Sequence, residues 1–216
     1  MQKALFNYNE NSSTLLTKIY FLLALSIVPT IVTTVLYHYF LVTTFNQNPV
    51  IYLLITISSL FFLQYLVIKN KRNNLGYTLL MLYTALFGIV FAPILESIFK
   101  TNEGVNIVLQ SATSTLIIFA AMAFCSSKVK KVDFLSIFSI IGLFLLLISS
   151  IFNIFFHTSI LSNVISTAAI IIFSAFIIVD LHLFRTGQNQ SPILLVLELY
   201  LDIMNLFFNL ILLLKS

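Results

Sequence analysis

The stretch from Leu197 to Leu214, LELYLDIMNLFFNLILLL, is apolar enough to lie in lipid, yet it places Glu198 and Asp202 one helical turn apart. An apolar run of roughly 20 residues is what an α-helix needs to cross about 30 Å of hydrocarbon. An ionised carboxylate near the middle of such a run costs about 2.5 kcal/mol or more, so acids kept there face a bundle interior or a water-filled cavity. Glu198, Asp202, Asn205 and Asn209 recur at intervals of four, three and four residues. They therefore stack on one helical face, while Leu, Ile and Phe fill the rest. A helix with one polar stripe belongs against other helices, and the spacing predicts a central position for it.

Working outward, apolar runs of similar length recur along nearly the whole chain. Of 216 residues, 60% are hydrophobic and 8% charged, and the mean hydropathy is +1.06, far from the profile of a soluble globular domain. The reading is an all-α membrane protein with seven transmembrane helices, at about 18–41, 50–68, 76–98, 105–126, 134–156, 161–184 and 192–214. Polar breaks such as NQNP, KNKRNN, KTNEG, SSKVKKVD and RTGQNQSP separate them, and the weakest break is HTSILSN, between the fifth and sixth. With no linker and no internal repeat, residues 1–216 form a single transmembrane domain in this reading. The polar opening stretch runs directly into the first span without a small-residue cleavage site, so the first span is expected to stay as an anchor.

Basic residues set the orientation. Lys3, Lys18, Lys69, Lys71, Arg72, Lys128, Lys130, Lys131 and Arg185 fall on one side of a seven-span chain, leaving Lys100 and Lys215 on the other. By the positive-inside rule the first side is cytoplasmic, with the amino terminus inside and the carboxy terminus outside. The net charge of +4 is thereby spent on topology, and no nucleic-acid partner is expected. A single cysteine, Cys125, excludes an internal disulfide and a thiolate metal cluster. His38, His157 and His182 lie near helix ends and far apart, which favours interfacial residues over a metal site. The chain lacks a phosphate-binding glycine loop and a nucleophile elbow, so neither an enzyme nor a bound cofactor is expected.

Two further acids lie in or near the spans. Glu96 is one turn from Lys100 and reads as an interfacial i,i+4 pair. Asp180 lies inside the sixth span, close to its cytoplasmic end. In a straight-helix picture its depth differs from that of Asp202 by roughly 9 Å, a gap that tilt or a bend closes. Two carboxyls within hydrogen-bonding distance share a proton and titrate as a unit, which makes a pH sensor. Both deprotonated, the same oxygens suit a hard cation such as Ca²⁺. Asn205 and Asn209 read equally well as interhelical hydrogen-bond glue.

The segment FIIVDLHLF around Asp180, followed by LELYLDIMNLFFNLILLL, resembles the carboxy-terminal signature of the transmembrane Bax inhibitor motif family, particularly its bacterial members. KNKRNNLGYTLLMLYTALFGIVFAPIL is similar to that family's second and third helices. ATSTLIIFAAMAFCSSKVKKVDFLSIFSIIGLFLLLISSIFNIFF is similar to its fourth and fifth. The resemblance implies seven helices with the last enclosed by the others, and a pH-sensitive Ca²⁺ leak through a bacterial inner membrane. It implies an aspartate dyad on the sixth and seventh helices, mapping onto Asp180 and Asp202 as pH sensor, ion path and transient Ca²⁺ ligands. It also implies a basic latch on the second helix that pairs with the first aspartate. The aligned position here is Asn70, so the latch is displaced onto Lys69, Lys71 or Arg72, or is absent. Glu198 departs from the family's small residue before LYLD and either alters the titration of the pair or adds a cation ligand, with Asn205 and Asn209 as further auxiliaries.

Two other classes compete. Di-aspartyl intramembrane proteases also place one aspartate on each of two helices, but they share a GxGD element, whereas Asp202 follows LYL and Asp180 follows IIV. A non-transporting protein that binds and modulates a membrane protease or translocation complex fits the composition equally. Membrane lipid, calcium ions and other membrane proteins are the expected partners.

Overall fold

A computed structural model describes residues 12–41, 48–156, 158–188 and 191–215; Lys3, His157 and the His38 side chain lie outside the described residues. Seven helices are found among them: α1 (Ser12–Phe40), α2 (Pro49–Lys69), α3 (Asn74–Phe99), α4 (Gly104–Ser126), α5 (Asp133–Phe156), α6 (Ser159–Arg185) and α7 (Pro192–Lys215). Each is long and apolar enough to cross a membrane, and the protein is a multi-pass seven-helix membrane protein. The expected ranges hold to within a turn except at α1, which starts earlier, in the polar stretch SSTLLTK. Glu96 and Lys100 form the i,i+4 pair that their spacing predicts, at 2.9 Å. The expectation of an enclosed last helix is met. Two-thirds of the α7 span is buried (67%), against 17–39% for the other six.

The chain packs as two compact units. One comprises α1, α2, α3 and the start of α7 through Tyr200; the other comprises α4, α5, α6 and α7 from Leu201 onward. In the first unit α1 and α2 both pack on α3. Gly88 permits the close approach of α3 to α1, since a Cβ there would collide with the Thr30 carbonyl and the Thr33 hydroxyl. Threonines of α1 then reach across: Thr33 Oγ1 donates to the Ala85 carbonyl at 2.7 Å and Thr34 Oγ1 to the Gly88 carbonyl at 3.1 Å.

The contact of α2 with α3 has a different logic. Pro93 lies inside α3 and has no N–H to give to the Ile89 carbonyl one turn back. In hydrocarbon such a carbonyl needs a donor from within the protein. Tyr52 on α2 supplies one, its hydroxyl donating to Ile89 O at 3.1 Å. The Tyr52 ring is buried with Tyr37 and Ala92, edge to face with Tyr37 at 6.1 Å.

In the second unit α4 and α5 both pack on α6, around Leu146, Ala169 and Ile172. At one end of α6, Arg185 reaches the last turn of α4, where its guanidinium donates to the Ser126 hydroxyl and lies 3.5 Å from the Ala123 carbonyl. Carbonyls at a helix C-terminus lack intrahelical partners and attract a cation. Sequence reading assigns Arg185 only a topological role; in the structure it also ties α6 to α4.

The tyrosine and proline should be energetically coupled. Tyr52→Phe is expected to destabilise the detergent-solubilised protein by about 1 kcal/mol, and Pro93→Ala, which restores an N–H for Ile89 O, should shrink that penalty. A double-mutant cycle of thermal unfolding checks this; equal penalties in both backgrounds would disprove the assignment.

Candidate functional site

The start of α7 is fixed at a backbone junction within the first unit. Ser191 Oγ donates to the Lys71 carbonyl at 3.1 Å, and α2 ends one residue earlier with Asn70 Nδ2 donating to Leu66 O at 2.8 Å. Asn70 thus caps its own helix. Lys69 and Arg72 are exposed at this turn and Lys71 is half-buried.

Two turns further along α7, Tyr200 is fully buried. Its hydroxyl is 2.6 Å from Thr30 Oγ1, which lies 2.9 Å from the Thr84 carbonyl. Threonine has one proton; with it directed at Thr84 O, Tyr200 is the donor to Thr30. The Tyr200 ring meets Phe87 and Tyr83 edge to face, at 5.4 and 6.4 Å. No spacing rule in the sequence points to this junction, although the cluster Thr30, Thr33, Thr34 and the small Gly88 opposite it carry the signal.

Asp202 follows two residues later and is 6% exposed. In the second unit Asp180 is half-buried on α6, and its side chain lies near enough to that of Asp202 for the two to interact. Leu181 and Val179, the neighbours of Asp180, are buried and apolar.

The rest of the predicted stripe is disposed differently. Asn205 Nδ2 donates to the Leu201 carbonyl and Asn209 Nδ2 to the Asn205 carbonyl, each at 2.8 Å. Reading them as interhelical glue needs correction for these donors: the amides bond one turn back along α7 itself, a local solution open to a short polar side chain on any helix. Glu198 is half-buried within the portion of α7 that belongs to the first unit. His182 is buried in the last turn of α6, 9% exposed. Among the described residues no group of three or more His, Cys, Asp or Glu is placed to hold a metal ion. Cys125 is exposed as a free thiol.

Seven apolar helices, a buried last helix and acids retained inside two of the spans define a polytopic membrane protein that keeps ionisable groups in its interior. Residues 12–216 match the family model described as inhibitor of apoptosis-promoting Bax1, and the chain belongs to this Bax-inhibitor-like family. An uncharacterized protein of Campylobacter jejuni is 32% identical over 164 residues, covering 75% of this chain and 69% of the relative. Protein lifeguard 4 of Mus musculus is 26% identical over 201 residues, covering 91% of this chain and 82% of its own. An uncharacterized membrane protein of Vibrio cholerae is 24% identical, over 76% of this chain and 74% of its own.

A proton shared by Asp180 and Asp202 would have a spectroscopic signature. Infrared spectra of the membrane-reconstituted protein should show a protonated-carboxyl C=O band that disappears in both Asp180→Asn and Asp202→Asn. A band that survives both substitutions unshifted would show that the two carboxyls do not share a proton.

Proposed function

We propose that the protein is a pH-sensitive calcium leak channel, biased between closed and open states by protonation of Asp180 and Asp202. The observation that carries this reading is that two acids, Asp180 and the buried Asp202, are kept within apolar helices of the same unit. Removing the shared proton leaves two like charges in a medium of low polarity, a state relieved only by separation or by a cation between them. Ca²⁺ is the hard cation that carboxylate oxygens suit, held transiently as it passes. In this reading Glu198, Asn205 and Asn209 add polar atoms along α7, and Lys69, Lys71 and Arg72 are the candidate latch. The distribution of basic residues supports a bacterial inner-membrane location with the amino terminus cytoplasmic and the carboxy terminus outside.

A second reading, a non-transporting protein that modulates a membrane protease or translocation complex, draws support from the family description, which names an inhibitor acting on another protein. One experiment separates the two. Ca²⁺ entry into liposomes containing the purified protein is measured from acid to alkaline pH for the wild type, Asp180→Asn and Asp202→Asn. A leak predicts pH-dependent flux that each substitution lowers by about tenfold, the effect of roughly 1.4 kcal/mol on a two-state equilibrium, or renders independent of pH. Flux from folded wild-type protein no greater than that of empty liposomes would overturn the leak. Neutralising Lys69, Lys71 and Arg72 together should alter the pH profile if they form the latch.

A further inference from the structure

A groove of about 310 Å³ opens between α5 and α6 in the second unit, lined among others by Phe138, Gly142, Leu145, Ser149, Ala168 and Ile172. Ser149 is the one hydroxyl-bearing residue of the lining. Gly142 lets the two helices approach closely at one wall of the groove, since a Cβ there would press into the Ile172 side chain. Such a wall offers an occupant almost nothing but dispersion contact, and its outward-facing side chains, with Leu145 at 59% exposed, lie in a transmembrane segment. From Phe138 to Ser149 the groove follows α5 for about 17 Å at 1.5 Å per residue. That is close to one leaflet, half of the roughly 30 Å hydrocarbon core.

At the end of α5 nearest Phe138 lies the loop that joins α4 to α5. It presents Lys128, Lys130 and Lys131, all exposed, and none of them forms an ion pair among the described residues. Lys128 sits 5.6 Å from the centre of the Phe124 ring. Asp133, in the first turn of α5, is the one acid beside them, and three lysines outweigh it. The neighbouring cation, Arg185, is engaged with Ser126 and the Ala123 carbonyl. Between the lysines and the groove, Phe134 and Phe138 stack at 6.3 Å.

We propose that this groove is a binding site for one anionic phospholipid, its acyl chain lying between α5 and α6 and its headgroup held by Lys128, Lys130 and Lys131. The charge of the loop selects the headgroup, the length of the groove matches one chain, and the aromatic pair bridges the two. This site is separate from Asp180 and Asp202 and does not depend on whether the protein conducts calcium.

The chain has no tryptophan, so a single introduced one reports locally. Leu145→Trp places a fluorophore on the groove wall, and Leu116→Trp places one on the exposed face of α4, outside the groove. The full chain is reconstituted in vesicles of phosphatidylcholine and phosphatidylglycerol, with mid-chain bromines on one lipid or the other. Brominated phosphatidylglycerol should compete for the Leu145→Trp site roughly fivefold or more better than brominated phosphatidylcholine, from a contribution of about that factor per lysine. Leu116→Trp should show no such preference. Replacing the three lysines with glutamine, or filling the groove with Ala168→Phe while keeping them, should abolish the preference at Leu145→Trp; the second variant leaves the topology signals intact. Equal quenching by the two lipids at Leu145→Trp, or the same preference at Leu116→Trp, would overturn the proposal.

Discussion

The bilayer interior offers no hydrogen bonds, so every polar atom carried into it must be satisfied by the protein itself. Where this protein meets that constraint, it does so in two ways with different consequences. Many hydroxyls bond one turn back along their own helix, as Ser26 does to Leu22, Thr56 to Tyr52, Thr115 to Ser111 and Ser139 to Leu135. These bonds remove a cost but say nothing about neighbours. A smaller set crosses between helices: Tyr52 to Ile89, Thr33 to Ala85, Tyr200 with Thr30, and Arg185 to Ser126. Those fix which helices meet and in what register, because breaking one strands a polar atom where water cannot replace its partner.

The two kinds of bond also explain what sequence reading reaches. Seven spans are legible because hydrocarbon thickness imposes a length on each apolar run. The enclosure of α7 is legible because its acids and amides share a face. Asp180 and Asp202 stand out by their cost alone, without knowledge of who lies opposite. The fate of Asn205 and Asn209 is not legible, since an amide on a helix face bonds its own backbone or a neighbour's with equal ease until the packing is known. Nor is the role of Arg185, whose position beside a polar break looks like any cytoplasmic flank. Tyr52 is hidden most completely: its partner is a backbone atom, and only the proline four residues beyond that atom marks the vacancy.

Within α7 the division of labour is narrow. Tyr200 secures the helix to hydroxyls and aromatic rings of the first unit, and Asp202 meets Asp180 in the second. Residues two apart on a helix point to nearly opposite faces. One short segment thus carries an anchor made of neutral groups and a junction made of ionisable ones.

The Tyr52 and Pro93 arrangement has a consequence for how such sequences diverge. A lineage that loses the proline first regains an internal N–H for Ile89 and leaves the tyrosine hydroxyl dispensable, so later replacement of Tyr52 is nearly neutral. A lineage that loses the tyrosine first strands the carbonyl and is selected against before the proline can change. The order of substitution is therefore constrained even though both end points are sound. Among homologues, a phenylalanine at the position of Tyr52 should be accompanied by a residue other than proline at the position of Pro93.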